Sequence, residues 1–198
     1  HRVYIEPFVG GGAVLLNKRS AHVNIAIDAD ARAAANIATK VDAACTTIIT
    51  GDAISFLRDY NFEGDEFVYL APPYLFETRA GGNRKIYTCE FGDVVQHREL
   101  LKLIKSLPCM VAISGYWSEL YQKELSSWHD MTFKVITHTG KMASEWLWMN
   151  YPEPTELHDY RYLGDDFRQR ERLTRMRKRW VARLDRMGTL ERYALLSA

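Results

Sequence analysis

Four short groups of residues in this chain have types and spacing that could form one ligand site. Glycines 10–12 lie between an apolar strand candidate and a helix candidate, and such a turn lets a ligand approach the backbone closely. Asp28 follows Gly10 by 18 residues, about the distance at which an acid at the end of a second strand binds ribose hydroxyls. Asp52 and the tripeptide Pro72-Pro73-Tyr74 follow two further strand candidates.

The elements that position these groups read as alternating strands and helices. Apolar runs predict strands over residues 3–5, 23–27, 46–50 and 67–70, and residues 13–18 are compatible with a helix. Each group then sits at the carboxyl end of a strand, where open α/β sheets bind ligands. Asp30 competes with Asp28 for the ribose role and could instead be a helix N-cap, and Asp52 could equally cap the helix over residues 53–60.

The strand over residues 67–70 ends at two prolines, which cannot donate to a sheet ladder. The turn Ala71-Pro72-Pro73-Tyr74 resembles the (D/N/S)-P-P-(Y/F/W) tetrapeptide of methyltransferases that modify exocyclic amino groups. Residues 6–13 resemble the S-adenosylmethionine loop of adenine methyltransferases. In this order the motifs resemble the Dam-like family of adenine-specific DNA methyltransferases, and residues 97–101, 111–116 and 145–150 resemble its later helix and strands.

The resemblance implies a Rossmann-like S-adenosylmethionine-dependent methyltransferase fold, in which helices flank a mixed, mostly parallel sheet. It implies S-adenosylmethionine as cofactor, S-adenosylhomocysteine as product, and no metal. The cofactor-binding residues that it implies are Glu6, Pro7, Phe8, Gly10, Gly12, Asp28 and Asp52. Asp52 would accept a hydrogen bond from the adenine amine of the cofactor.

The catalytic residues implied by the resemblance are Ala71, Pro72, Pro73 and Tyr74. In the family the first side chain and the first proline carbonyl accept hydrogen bonds from the target amine, and the aromatic residue stacks on a base turned out of the duplex. Alanine cannot accept such a bond. We therefore predict an adenine-N6 DNA methyltransferase inactivated by an Asp→Ala change at Ala71, and we favour an engineered change over a natural pseudo-enzyme.

Two other functions compete with this one. The first is an amino-methyltransferase that acts on RNA or on cytosine N4, because Ala71 removes the residue that would distinguish the targets. The second is a non-catalytic nucleic-acid-binding subunit of a methyltransferase complex. Ala71 favours it, as does the lack of the family's N-terminal P-x-x-K-x-x-G-x-K-like segment before the glycine loop. Only residues 53–70 lie between Asp52 and the tetrapeptide, where many relatives carry a large target-recognition insert. We therefore expect that sequence selectivity comes from elsewhere in the chain or is weak.

The composition indicates a compact globular enzyme. The chain has 198 residues, 47% of them hydrophobic, and shows neither a membrane-length apolar run nor a signal-peptide pattern. Its three cysteines are unclustered and its six histidines have no metal-ligand spacing, which argues against zinc. We expect a cytoplasmic protein of a bacterium or a phage-infected cell.

Basic residues concentrate near the C-terminus. Residues 161–198 carry a net charge of +6 and the preceding 160 residues a net charge of −5. Arginines in the helix predicted over residues 167–187 run beside an apolar stripe that we expect to be buried, and such a basic ridge can contact phosphates. We therefore predict a catalytic domain over residues 1–155, a basic helical extension over 156–198, and double-stranded DNA as partner.

A second DNA-contacting segment is predicted over residues 76–93, which leave the catalytic strand directly and contain three glycines. The polar loop over residues 137–144 could approach DNA from the same side. The nucleic-acid-binding residues predicted from these segments and from the tail helix are Arg79, Arg84, Lys85, Lys141, Arg175 and Arg179.

Overall fold

A computed structural model describes residues 1–79, 85–136, 140, 142–157 and 159–197. The described chain divides into two compact units, His1–Pro154 and Thr155–Ala198. The first unit contains all the strands of the described chain, and the second contains two helices.

The first half of the larger unit repeats a strand–helix pattern. Its elements are β1 (Val3–Glu6), α1 (Ala13–Asn17), β2 (Val23–Asp28), α2 (Ala31–Ala38), β3 (Thr46–Thr50), α3 (Ala53–Asp59) and β4 (Glu66–Leu70). Asp30 and Asp52 are the N-caps of α2 and α3, because each side chain accepts a hydrogen bond from a backbone N–H in the first turn of its helix.

The second half begins with a short 3₁₀ turn over Phe76–Thr78. The remaining elements of this unit are α4 (Val94–Ile104), β5 (Met110–Gly115), α5 (Glu119–Glu124), β6 (His129–Ile136) and β7 (Met142–Met149). Neither α5 nor β6 was predicted from the sequence. The predicted loop over residues 137–144 is partly wrong, because β7 already begins at Met142.

The seven strands form one sheet in the order β3-β2-β1-β4-β5-β7-β6. The pairs among β1 to β5 are parallel, whereas β7 runs antiparallel to both β5 and β6. The carboxyl ends of β1, β2 and β4 therefore meet at one edge of the sheet, which is where the glycine loop, Asp28 and the Pro-Pro-Tyr turn begin.

Side chains of the central strands alternate between two hydrophobic layers. Val68 and Leu70 of β4 pack with buried residues of α3, α4 and α5 on one face. Phe67 and Tyr69 contribute to the opposite face, where they pack with buried residues of β1, α1 and α2. Both faces of the sheet are covered by helices, as the near-continuous apolar strands predict.

The smaller unit contains α6 (Phe167–Asp185) and α7 (Thr189–Leu196). None of the residues of α6, all of which the structure describes, is buried. The prediction that the apolar stripe of this helix is buried is therefore wrong within this chain, and Met176 and Trp180 are 42% and 54% exposed. No helix within the described residues has the length and apolar character needed to cross a membrane.

Candidate active site

The glycine loop between β1 and α1 is a tight turn that requires glycine. Gly10 and Gly12 have positive φ angles of 48° and 69°, a region that side chains with a Cβ rarely adopt. A Cβ on Gly12 would also lie 2.5 Å from Cδ1 of Ile37 in α2. The loop is held at its start by a hydrogen bond from the Val9 amide to the Ile27 carbonyl of β2, at 3.0 Å.

Asp28 joins this loop to the end of β2. One carboxylate oxygen accepts from the Gly10 amide at 2.7 Å and the other accepts from the Asp30 amide at 2.8 Å. Each oxygen has a second lone pair, so the partly exposed carboxylate can also accept from a ligand. Asp30 caps α2 by accepting a bond from the Arg32 amide at 2.9 Å. Asp28 thus bonds the glycine loop and Asp30 bonds a helix, and which of the two binds ribose stays a prediction.

The third predicted acid, Asp52, begins α3 at the same sheet edge. Its Oδ1 accepts from the Ser55 amide at 2.8 Å and from the Ser55 hydroxyl at 2.9 Å. The cap role is therefore present. The exposed carboxylate keeps its other oxygen, and contact with the cofactor adenine stays a prediction.

Glu6 ends β1 and Pro7 begins the turn that follows it, and both residues are buried. Glu6 is 2% exposed and accepts a hydrogen bond from the Tyr4 hydroxyl at 2.7 Å. Burial raises the pKa of Glu6 to about 7. The predicted role of Glu6 and Pro7 in cofactor binding stays a prediction. Phe8 is partly buried against the ring of Phe91, at 5.1 Å.

The turn after β4 is held by a buried histidine of α4. Nε2 of His97 lies 3.1 Å from the Pro73 carbonyl, and Nδ1 lies 2.7 Å from the Tyr121 hydroxyl. Because a carbonyl can only accept, Nε2 carries the proton and Nδ1 accepts from Tyr121. Burial lowers the pKa of His97 to about 4, so the ring is neutral at pH 7. Ala71 itself is exposed, whereas Pro72 is buried.

Tyr74 points its hydroxyl at an acid that sequence reasoning did not identify. The hydroxyl donates to Oε1 of Glu145, on β7, at 3.1 Å. The Tyr74 ring lies 4.2 Å from that of Tyr116, at an interplanar angle of 33°. Burial, followed by the Glu145 carboxylate, raises the pKa of Tyr74. Glu145 also has a hydrogen bond with Ser114, the residue before the end of β5.

Arg79 was predicted to contact nucleic acid, and its placement contradicts this. Its side chain is 2% exposed and forms an ion pair with Glu90 at 2.7 Å. Its Nε donates to the Tyr74 carbonyl at 2.8 Å, and the guanidinium lies 4.6 Å from the centre of the Phe76 ring. The arginine is therefore a structural centre of the segment after the turn. It also lowers the pKa of Glu90 to about 2.

The described part of this segment reaches back over the sheet edge. Thr88 accepts a hydrogen bond from the Arg32 guanidinium, at the start of α2, at 3.3 Å. The Phe76 amide donates to the Gly92 carbonyl at 3.0 Å, which closes the base of the segment. Lys85 is exposed, as its predicted role requires. Arg84 and Lys141, which carry the same prediction, lie outside the described residues.

The two remaining predicted phosphate contacts lie on α6 in the smaller unit. Arg175 and Arg179 are exposed, one turn apart on the helix. Arg175 also forms an ion pair with Glu171. Such an exposed pair stabilises the helix by only about 0.3–0.5 kcal/mol, so it does not prevent Arg175 from binding a phosphate. Among the residues that the structure describes, no group of three or more His, Cys, Asp or Glu side chains could hold a metal ion.

Comparison with known proteins identifies the fold. No protein-family model and no curated protein matches the chain. Among solved structures, an rRNA methylase from Streptococcus thermophilus is 11% identical, with a TM-score of 0.50 over 75% of this chain and 87% of its own. A candidate methyltransferase from Streptococcus mutans in complex with SAH is 12% identical, with a TM-score of 0.48 over 75% and 89%. An N-methyltransferase, NodS from Bradyrhizobium japonicum, is 12% identical, with a TM-score of 0.47 over 76% and 86%.

At these identities the likeness concerns the fold alone. Together with the observed strand order, the match to the rRNA methylase confirms the predicted Rossmann-like fold of S-adenosylmethionine-dependent methyltransferases.

Proposed function

We propose that this chain binds S-adenosylmethionine and has the site of a methyltransferase that acts on the exocyclic amine of a nucleobase. The substrate that we favour is adenine N6 of DNA. One observation carries the proposal. The glycine loop bonded to Asp28 and the Pro-Pro-Tyr turn leave neighbouring strands at the same edge of a methyltransferase-type sheet. This edge is where open α/β sheets bind their ligands.

The chain's own residues supply positioning for this chemistry. Gly10 and Gly12 allow a nucleoside cofactor to approach the backbone, and Asp28 offers acceptors to ribose hydroxyls. Tyr74 offers an aromatic face on which a base can stack, and His97 fixes the turn that carries it. Methyl transfer from a sulfonium needs alignment of donor and amine, so positioning accounts for most of the catalysis. Ala71 withholds one acceptor, and we therefore expect slow transfer.

Cofactor binding is tested by the variant Asp28→Asn. The change removes the charged acceptor that holds Gly10 and would hold the ribose, and hydrogen bonds to charged groups contribute about 1.5–3 kcal/mol. We expect the Kd for S-adenosylhomocysteine, measured by calorimetry, to rise about 10- to 100-fold. Asp42→Asn is the matched control, since Asp42 accepts from the Ala44 amide at 2.9 Å in the turn before β3. Equal affinities for the two variants would contradict the assignment of Asp28.

The substrate is tested by mass spectrometry of nucleosides after incubation with S-adenosylmethionine and either DNA or RNA. N6-methyladenine in DNA is the expected product. Methylated cytosine or methylated RNA would instead identify cytosine or RNA as the substrate. The Ala71→Asp variant is included, because it restores the polar residue of the tetrapeptide. If every variant binds nucleic acid and none binds the cofactor, the result would instead favour a non-catalytic subunit. The alanine at position 71 is also consistent with that function.

The basic ridge of α6 is expected to set affinity without choosing a sequence. Arg175 and Arg179 together can neutralise two phosphates, so changing both to alanine should weaken DNA binding on all sequences. The slope of log K against log salt should become shallower by up to roughly 2. The control is the pair Lys102→Ala and Lys123→Ala, which removes the same charge from exposed positions on α4 and α5. An unchanged slope in the ridge variant would show that the ridge does not contact phosphates.

A further inference from the structure

Glu145 lies where a second acceptor for the substrate could act. It directly precedes Trp146, which pairs with Gly115 at the end of β5, and so lies at the sheet edge that carries the Pro-Pro-Tyr turn. Its Oε1 accepts from the Tyr74 hydroxyl at 3.1 Å, which places the carboxylate beside the ring proposed to stack on the base. The side chain is only partly buried, so a ligand can reach it.

The carboxylate of Glu145 has unused hydrogen-bonding capacity. An ionised carboxylate offers about four acceptor positions, and the hydroxyls of Tyr74 and Ser114 occupy two of them. Burial raises the pKa of Glu145, because removal from water disfavours the charged form. A more basic carboxylate is also a better acceptor for a proton that the reaction releases.

We propose that Glu145 is a catalytic residue that accepts a hydrogen bond from the exocyclic amine of the stacked base, in place of the carboxylate that Ala71 lacks. This inference rests on the proposed function. The amine nitrogen forms a bond to the methyl carbon while the sulfur–carbon bond of S-adenosylmethionine breaks. S-adenosylhomocysteine leaves with the electron pair, and the proton lost by the methylated amine passes to Glu145 and then to water.

The test compares Glu145→Gln with Glu119→Gln, an exposed position on α5, in an assay of labelled methyl transfer to DNA. Loss of one positioned polar group costs on the order of 10²–10³ in rate. Glu145→Gln should therefore transfer methyl more slowly than the unmodified chain by that factor, whereas Glu119→Gln should keep the rate of the unmodified chain. In the Ala71→Asp protein, adding Glu145→Gln should cost less than about tenfold, because the two carboxylates serve the same amine and their effects are not additive.

A binding measurement separates this role from support of Tyr74. The probes are a thymine-only oligonucleotide with one central adenine and the same oligonucleotide with purine, which lacks the amine, each in the presence of S-adenosylhomocysteine. Glu145→Gln should weaken binding of the adenine probe about tenfold and leave binding of the purine probe unchanged. Tyr74→Phe, which removes the hydroxyl bonded to Glu145 and keeps the ring, should affect the two probes equally.

Two outcomes overturn the inference. If Glu145→Gln weakens binding of both probes equally, Glu145 only supports Tyr74. If Glu145→Gln transfers methyl at the rate of the unmodified chain, Glu145 has no role in the reaction. Failure of the proposed function looks different, because then neither the unmodified chain nor Ala71→Asp would bind S-adenosylhomocysteine or transfer methyl.

Discussion

Replacing Ala71 by aspartate is expected to raise the rate of methyl transfer by at least about 10²- to 10³-fold. Ala71 is exposed at the end of β4, and its neighbours in the turn are already fixed by His97 and by Arg79. A carboxylate added there would be a second acceptor for the target amine and would help to localise the nitrogen lone pair. The measurement is transfer of labelled methyl from S-adenosylmethionine to unmodified duplex DNA.

The gain from Ala71→Asp should come without a change in cofactor affinity, because the Gly10–Asp28 contact joins the loop after β1 to the end of β2 and does not involve the turn after β4. Ala71→Val is the matched control: it adds side-chain volume at the same exposed position but no acceptor, and it should leave the rate low. If Ala71→Asp binds both the cofactor and DNA and still transfers no methyl group, the assignment of this turn to catalysis is wrong.

Replacing Arg79 by methionine is expected to destabilise the larger unit by roughly 3 kcal/mol, because removing one partner of a buried ion pair leaves an uncompensated charge. Glu90 would keep its two backbone donors, the amides of Ile86 and Tyr87, but lose its ion pair with the Arg79 guanidinium. Urea unfolding followed by tryptophan fluorescence measures the loss, since four of the five tryptophans lie in this unit.

The control for Arg79→Met is Arg58→Met, which breaks the ion pair with Glu99 on the surface of the same unit. Exposed pairs contribute about 0–1 kcal/mol, so this variant should lose little stability. Adding Glu90→Gln to Arg79→Met should recover part of the loss. The opposite result would be an Arg79→Met protein that is as stable as the parent but binds DNA more weakly and with less salt dependence. That result would support the phosphate contact predicted from the sequence.

The Arg79–Glu90 ion pair makes the stability lost in Arg79→Met depend on pH. The pKa of Glu90 is lowered from 4.5 to about 2 in the folded chain. Its contribution to stability is therefore fully present above pH 4.5 and is lost as the pH falls toward 2. The difference in unfolding free energy between the parent protein and Arg79→Met should shrink over that window, and a difference that stays constant would exclude the Glu90 charge as its cause.

The sequence by itself determined the elements whose signals are local. Strand β3 has the predicted bounds Thr46–Thr50, and the Pro-Pro pair marks the end of β4, because backbone conformation and missing donors act within a few residues. The helix caps Asp30 and Asp52 are also local, and for each the cap was one of the two roles that the sequence left open. Strand β6 was missed: its side chains are almost all exposed, so no alternation of buried and polar residues marks it.

Only the tertiary structure decided which side chains surround the turn. Glu145 meets Tyr74 across 71 residues, because the sheet order places β5 beside β4 and β7 beside β5. His97 meets Pro73 across 24 residues, because α4 packs against the sheet. No local pattern encodes such a contact. Arg79 makes the same point in reverse: its sequence surroundings indicate a solvent-exposed loop, but the desolvated guanidinium is stable inside because Glu90 and the Tyr74 carbonyl compensate it.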